Sequence, residues 1–191
     1  MVPMMNGFPM PHDPLHGLPA GLTGRAARIR LACFDVDGTL TDGRLFYDHL
    51  GNESKAYHVQ DGLGLKLIQR HGIVPVIITA RDSASAARRG ADLKIETHVG
   101  VRDKLALLKT LCQREDIGLD QVCFMGDDLP DITCLREVGL SVAPANAHPW
   151  VRDVVHWQTP LGGGEGAARQ LCDVLLAAQG HLPAVLAGVM P

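Results

Sequence analysis

The stretch from Leu31 to Asp42, LACFDVDGTLTD, constrains this chain more than any other. Ile29 to Phe34, broken only by Arg30, is apolar enough to be a buried strand, and it gives way at once to Asp35, Val36, Asp37, Gly38 and Thr39. Residues two apart on extended backbone share a face, so Asp35 and Asp37 are expected to project together from the carboxyl end of that strand. Two crowded carboxylates repel unless a cation separates them. An all-oxygen cluster suits Mg²⁺, which takes one or two carboxylates and fills its shell with water and a substrate phosphate. Gly38 allows a turn with positive φ that brings backbone N–H groups towards an anion. An ordinary Asx-turn uses the same residue types, so the other strand ends decide the matter.

Those ends carry further polar groups. A second apolar strand, Val74–Ile78, closes at Thr79, Ala80 and Arg81; a third, Leu93–Ile95, precedes a helix that begins at Lys104; a fourth, Gln121–Met125, runs into Gly126, Asp127 and Asp128. Helical spacing fills the intervals, over Asp61–Arg70, Ser83–Arg89, Lys104–Cys112 and Leu129–Val138. Short strands follow at Gly139–Val142 and Asp153–His156, then a glycine loop from Leu161 to Gly166 and a helix over Ala167–Ala178. The runs Arg44–Tyr47 and Glu53–Val59 flank a Gly/Asn turn and read as a hairpin. Strands alternating with helices imply an α/β fold whose parallel sheet is covered on both faces, with ligands outside the carboxyl ends of the strands.

At 191 residues the chain fits one domain, placed here at residues 25–180, with a disordered leader over 1–24 and a flexible tail over 181–191. The leader has neither a basic start nor a continuous apolar segment, so it is not read as a signal peptide. A net charge of -3 and the lack of a basic patch argue against nucleic acid as a partner. No run approaches the roughly 18 apolar residues of a membrane span. The five cysteines are scattered without a C-x-x-C pair, which suits reduced thiols in a cytoplasmic protein.

Brought to one crevice, these groups can carry phosphoryl transfer. Asp35, nearer the strand, is the expected nucleophile, and Asp37 the acid that protonates the leaving oxygen and then the base that activates water. Asp127, with Asp35 and the backbone carbonyl of Asp37, is expected to hold Mg²⁺. Thr79 and Lys104 are expected to bind the transferring oxygens, and Asp128 and Asp131 to orient metal waters and Lys104. A phospho-accepting receiver domain groups similar residues, but places its Lys after the last acid, whereas Lys104 precedes Asp127. A non-catalytic interaction subunit could dispense with Asp37, which is present.

The D-x-D-G-T run at Asp35, Thr79, Lys104 and the G-D-D-x-x-D run from Gly126 to Asp131, in that order, resemble the haloacid dehalogenase superfamily of Mg²⁺-dependent phosphohydrolases. The resemblance spans about Arg28 to Gln179. It implies a three-layer, Rossmann-like fold with the small hairpin in place of a cap domain. The segments 35–43, 55–64, 126–131, 138–143, 146–149 and 175–180 are similar to those of its phosphatases for 3-deoxy-D-manno-octulosonate 8-phosphate. That likeness implies a sugar-acid phosphate substrate, a homotetramer whose neighbouring subunits cover each site, and the segment 162–166 as a lid. Arg81, and alternatively Lys55, would receive the substrate carboxylate. Three positions depart from the pattern: Gln60 and Glu165 where arginines are usual, and Ala80 where glycine is. Losing two cations weakens capture of a doubly charged substrate and leaves a nine-carbon ulosonate 9-phosphate as the alternative.

Overall fold

Short runs that are apolar on both sides of the backbone, with helices between them, can bury themselves only as a parallel sheet covered on both faces. The computed structural model describes residues 4–5, 8–9 and 12–188. Strands β1 (Met4–Met5) and β2 (Phe8–Pro9) pair with each other, α1 (Leu22–Ala26) leads into β3 (Leu31–Phe34), and β4 (Phe46–Tyr47) and β5 (Glu53–Ser54) form a separate antiparallel hairpin. There follow α2 (Val59–Arg70), β6 (Val74–Ile78), α3 (Ala84–Leu93), β7 (Glu96–His98), α4 (Lys104–Glu115), β8 (Val122–Met125), α5 (Ile132–Glu137), β9 (Leu140–Ala143), α6 (Pro149–Arg152), β10 (Trp157–Gln158), α7 (Ala167–Ala178) and α8 (Leu182–Ala187).

The main sheet is six-stranded in the order β10-β9-β8-β3-β6-β7, and every pairing in it is parallel. Strand β3 lies at its centre, flanked by β6 and β8, with Phe34 opposite both Ile77 and Met125. The strand alternation sorts the core into two layers. Ala32, Phe34, Ile77, Cys123 and Met125 pack towards α2 and α7, whereas Leu31, Cys33, Val76, Val122 and Phe124 pack towards α4 and α5. All five cysteines are buried and free, as their apolar surroundings suggest. Among the described residues no helix is long and apolar enough to cross a membrane.

Several boundaries differ from expectation. Helix α3 does not stop near Gly90 but runs to Leu93, and the third strand begins at Glu96 rather than Leu93. Gly90 sits inside the helix because a side chain there would strike Thr97, so this glycine serves close packing against β7 and not termination. Lys94, at φ 54°, makes the actual stop. The last strand falls at Trp157–Gln158 and not Asp153–His156, because α6 and its turn occupy the preceding residues; Trp157 pairs with Val142. The helix expected over Leu129–Val138 opens as a 3-10 turn, Leu129–Asp131, with Pro130 inside it, before α5 begins.

The leader is not free of the domain. Within it Leu22 is buried in the core and Leu15 and Leu18 pack against it; just beyond it Ala26 is buried too, and Arg25 donates to the Gly139 carbonyl at 2.8 Å. The α7 end reinforces this turn, where Gln179 donates to the Ala26 and Ile29 carbonyls at 3.1 and 2.8 Å. Much of the leader before residue 12, and the last three residues of the tail, lie outside the described residues. The rest of the tail forms α8, from which Val185 packs against the core. Leu22→Ala is therefore expected to cost about 2–5 kcal/mol in chemical denaturation, the range for a buried leucine. A leader independent of the domain would show no change.

Candidate active site

Strand β3 delivers Asp35 while the ladder still holds it: its N–H donates to the Met125 carbonyl at 2.9 Å. The chain then turns tightly, with the Val36 carbonyl accepting from the N–H groups of Thr39, Leu40 and Thr41 at 3.3, 2.9 and 3.0 Å. Gly38 has φ 88°, and a Cβ on it would collide with the Asp127 carboxylate. No other residue type suits both demands. Thr39 donates from Oγ1 to Asp127 Oδ1 at 3.0 Å, joining the turn after β3 to the one after β8.

The turn after β8 is organised by Asp131. Its Oδ2 accepts from the N–H groups of Asp127 and Asp128 at 3.1 and 3.4 Å, while Asp128 caps the 3-10 turn by accepting from Leu129 N–H at 2.8 Å. Lys104 is the first residue of α4, after Asp103, which caps the helix by accepting from Ala106 N–H at 2.9 Å. Its side chain is 3% exposed, and Nζ donates to Asp35 Oδ1 at 2.5 Å and to Asp131 Oδ1 at 2.7 Å. Thr79, also buried, continues β6, with its N–H on the His98 carbonyl at 2.9 Å and its Oγ1 accepting from Arg81 N–H at 3.2 Å.

One cleft is lined by Asp35, Asp37, Thr79, Arg81, Lys104, Asp127, Asp128 and Asp131, so the structure brings together every expected site residue except Lys55. Within it, carboxylate oxygens of Asp35, Asp127 and Asp131 lie within 4.8 Å of one another. Three carboxylates facing one ammonium leave a surplus of two negative charges in a buried place. Burial, and then the neighbouring Asp131, raise the Asp35 carboxyl well above the usual carboxylate range and push Asp127 up to about 7. Burial opposes the charge on Lys104, yet Asp35 and Asp131 outweigh it and raise its pKa. A hard divalent cation fits this set: the donors are all oxygen, close together and under-compensated. Asp131, expected only to orient water and Lys104, does hold Lys104 and also faces the cluster itself.

Asp37 is turned away from that cluster. Its Oδ1 accepts from Lys55 Nζ, and its Oδ2 lies 3.7 Å from Arg81 Nε. Lys55 has a fully buried side chain committed to Asp37 and, at 3.3 Å, to Glu53, so it does not stand open to a substrate carboxylate. Arg81, with 44% of its side chain exposed, does. The segment 162–166, read from the resemblance as a lid, is pinned to the back of the Asp35 turn. Asn146 accepts from Gly163 N–H at 2.6 Å and donates to the Gly38 carbonyl at 3.0 Å, and Gly164 N–H donates to the Thr39 carbonyl at 3.3 Å. Of the departures, Ala80 lines the cleft, Glu165 lines a neighbouring one with Asp42 and Arg44, and Gln60 is exposed at the start of α2.

Sequence reasoning missed Asn146 and Glu53. Glu53 had a signal, since it stands two residues from Lys55 in a strand-like run and so shares its face. Asn146 opens the segment 146–149 that carries part of the resemblance, but it lies in an Ala/Pro loop with no periodicity, and only the folded contact reveals what it does.

The fold and the four strand-end motifs define a haloacid dehalogenase-like hydrolase, and the family model of that description matches residues 97–171. Over 165 residues the chain is 40% identical to the 3-deoxy-D-manno-octulosonate 8-phosphate phosphatase KdsC of Escherichia coli K12, covering 85% of this chain and 87% of that one. The solved structure of a hypothetical protein from Xanthomonas campestris is 58% identical, with TM-score 0.93, over 95% of this chain and 100% of the other. That of the 3-deoxy-D-manno-octulosonate 8-phosphate phosphatase from Moraxella catarrhalis, in complex with magnesium ion, phosphate ion and KDO, is 38% identical with TM-score 0.87, over 90% and 100%. The chain belongs to the 3-deoxy-D-manno-octulosonate 8-phosphate phosphatase family of these hydrolases.

The raised Asp127 carboxyl gives a pH test. Its folded value of about 7 exceeds the ordinary 3.8, so proton binding favours the folded state at low pH, and that stabilisation is lost as pH rises between these values. In cation-free buffer, Asp127→Asn should gain melting temperature relative to wild type as pH rises from 5 to 8, measured by calorimetry. A difference that stays constant with pH would contradict the assignment.

Proposed function

We propose that this protein is a Mg²⁺-dependent phosphomonoesterase that releases phosphate from 3-deoxy-D-manno-octulosonate 8-phosphate through an aspartyl-phosphate on Asp35. The observation that carries this reading is the contact of the Lys104 ammonium with both Asp35 and Asp131, beside Asp127, at the rim of the central strand. It supplies in one place an anionic nucleophile, a fixed positive charge for phosphate oxygens and donors for a cation.

An oxygen of the Asp35 carboxylate attacks phosphorus and the ester P–O bond breaks, the leaving oxygen taking a proton from Asp37. Water then attacks the acyl phosphate and gives its proton to Asp37, and Asp35 departs as the carboxylate. Asp35 and Asp127, with Asp131 behind them, would hold Mg²⁺, which offsets repulsion between nucleophile and phosphate. Thr79 Oγ1 and Lys104 Nζ bind the transferring oxygens. Lys55 keeps Asp37 in place, and Arg81, whose guanidinium edges suit a carboxylate, receives the sugar acid. This reaction would serve lipopolysaccharide sugar synthesis in the cytoplasm. The hairpin exposes Leu45, Phe46, Tyr47 and Leu50, which supports assembly as a homotetramer whose neighbours cover each cleft.

Gln60 and Glu165 support a second reading, in which the preferred substrate is another acidic sugar phosphate such as a nine-carbon ulosonate 9-phosphate. A panel of phosphate esters with Mg²⁺ decides between them. Turnover of the eight-carbon sugar acid phosphate at least tenfold above both the nine-carbon ulosonate 9-phosphate and generic esters is expected, and a rate no higher than either would overturn the substrate assignment. Asp35→Asn should abolish turnover, by 10³-fold or more, with an unchanged circular dichroism spectrum. Persisting activity would mean a different nucleophile.

A further inference from the structure

The hairpin touches the site through Tyr47 and Glu53, neither of which has a role in the reaction scheme. Glu53 lies on β5 opposite Tyr47 of β4, and its side chain is 17% exposed. Its Oε1 accepts from Ser83 Oγ at 3.2 Å and lies 3.3 Å from Lys55 Nζ; its Oε2 accepts from Arg81 Nη2 and lies 3.5 Å from the Tyr47 hydroxyl. The same Arg81 nitrogen also reaches the Tyr47 hydroxyl at 3.3 Å. One carboxylate thus links both hairpin strands to the loop after β6 and to the start of α3.

Asp37 lies on the other side of the same two cations, near Lys55 Nζ and Arg81 Nε. Two carboxylates and two cations form a balanced square. An arginine has five donors in a rigid fork. Glu53 and Tyr47 engage Nη2 and Asp37 faces Nε, whereas no hydrogen bond engages Nη1 among the described residues. A long, 44% exposed side chain would otherwise sample many rotamers at the cleft mouth.

We propose that Glu53 is a positioning residue for substrate specificity: it fixes the Arg81 guanidinium so that its remaining edge meets the carboxylate of a sugar-acid phosphate. This rests on the reading of Arg81 as the carboxylate receptor. Glu53 touches neither phosphorus nor the attacking groups, and of the two cations it contacts only Arg81 is open to substrate, so its loss weighs more on a sugar acid than on an ester without a carboxylate. The hairpin is accordingly part of the specificity apparatus of its own subunit, in addition to any part in assembly.

The test compares steady-state kinetics on 3-deoxy-D-manno-octulosonate 8-phosphate and on p-nitrophenyl phosphate, which has no carboxylate, for wild type, Glu53→Gln, Glu53→Asp and Arg81→Ala. In Glu53→Gln the ratio of kcat/KM values, sugar acid over nitrophenyl ester, should fall about tenfold, mostly through a higher KM for the sugar acid. Glu53→Asp, which keeps the charge, should recover part of that ratio, and Arg81→Ala should lose at least as much as Glu53→Gln. If Arg81→Ala lowers the ratio and Glu53→Gln does not, the positioning role is wrong and the receptor assignment stands. If Arg81→Ala lowers both substrates equally, the receptor assignment itself fails. An equal loss on both substrates in Glu53→Gln, with a lower melting temperature, would reduce Glu53 to a structural latch and overturn the proposal.

Discussion

Lys104 is the group on which the arrangement of this molecule turns. Acids converge on the rim of the sheet from the ends of β3 and β8, and burial makes their charges costly. One ammonium, supplied by the first residue of α4, which covers one face of the sheet together with α5, bonds to two of them. The helix start is itself fixed by the Asp103 cap, so the lysine stem starts from a fixed point, and burial with its two carboxylate partners holds the ammonium at the end of it. What the ammonium leaves uncompensated is what a divalent cation and a phosphate can complete between them.

The parallel order of the sheet turns distant sequence into neighbouring groups. Asp35, Thr79 and Asp127 follow three adjacent strands, β3, β6 and β8, and parallel pairing puts all three ends on one side. The two turns interlock through Gly38, Thr39 and Asp127, and Asn146 ties the same turn to the glycine loop. Rigid positioning of Asp35 follows from this double bracing.

Most of the sheet and the acid cluster were legible in the sequence because they come from strong, local signals. Continuous apolar runs marked β3, β6 and β8, and each of these gave way to polar residues at its carboxyl end. What stayed hidden depends on tertiary contact. Gly90 looked like a helix stop and is a packing glycine; Leu22 looked like part of a loose leader and is core; β7, with Glu96, Thr97 and His98, is an edge strand without an apolar run to announce it. Lys55 and Asp37 were read as facing ligand and face each other, since no spacing rule reports that a lysine after the hairpin will reach a carboxylate in the turn after β3. The glycine loop suggested mobility, but its backbone donors are engaged by Asn146 and Thr39.

Anomalous diffraction from a crystal of the protein soaked in Mn²⁺, a stand-in for Mg²⁺ with the same preference for oxygen, addresses the convergence of these acids most directly. A single strong peak within about 2.0–2.3 Å of carboxylate oxygens from both Asp35 and Asp127 is the predicted result. A peak bound elsewhere, with Asp35 and Asp127 unliganded at saturating Mn²⁺, would contradict the account.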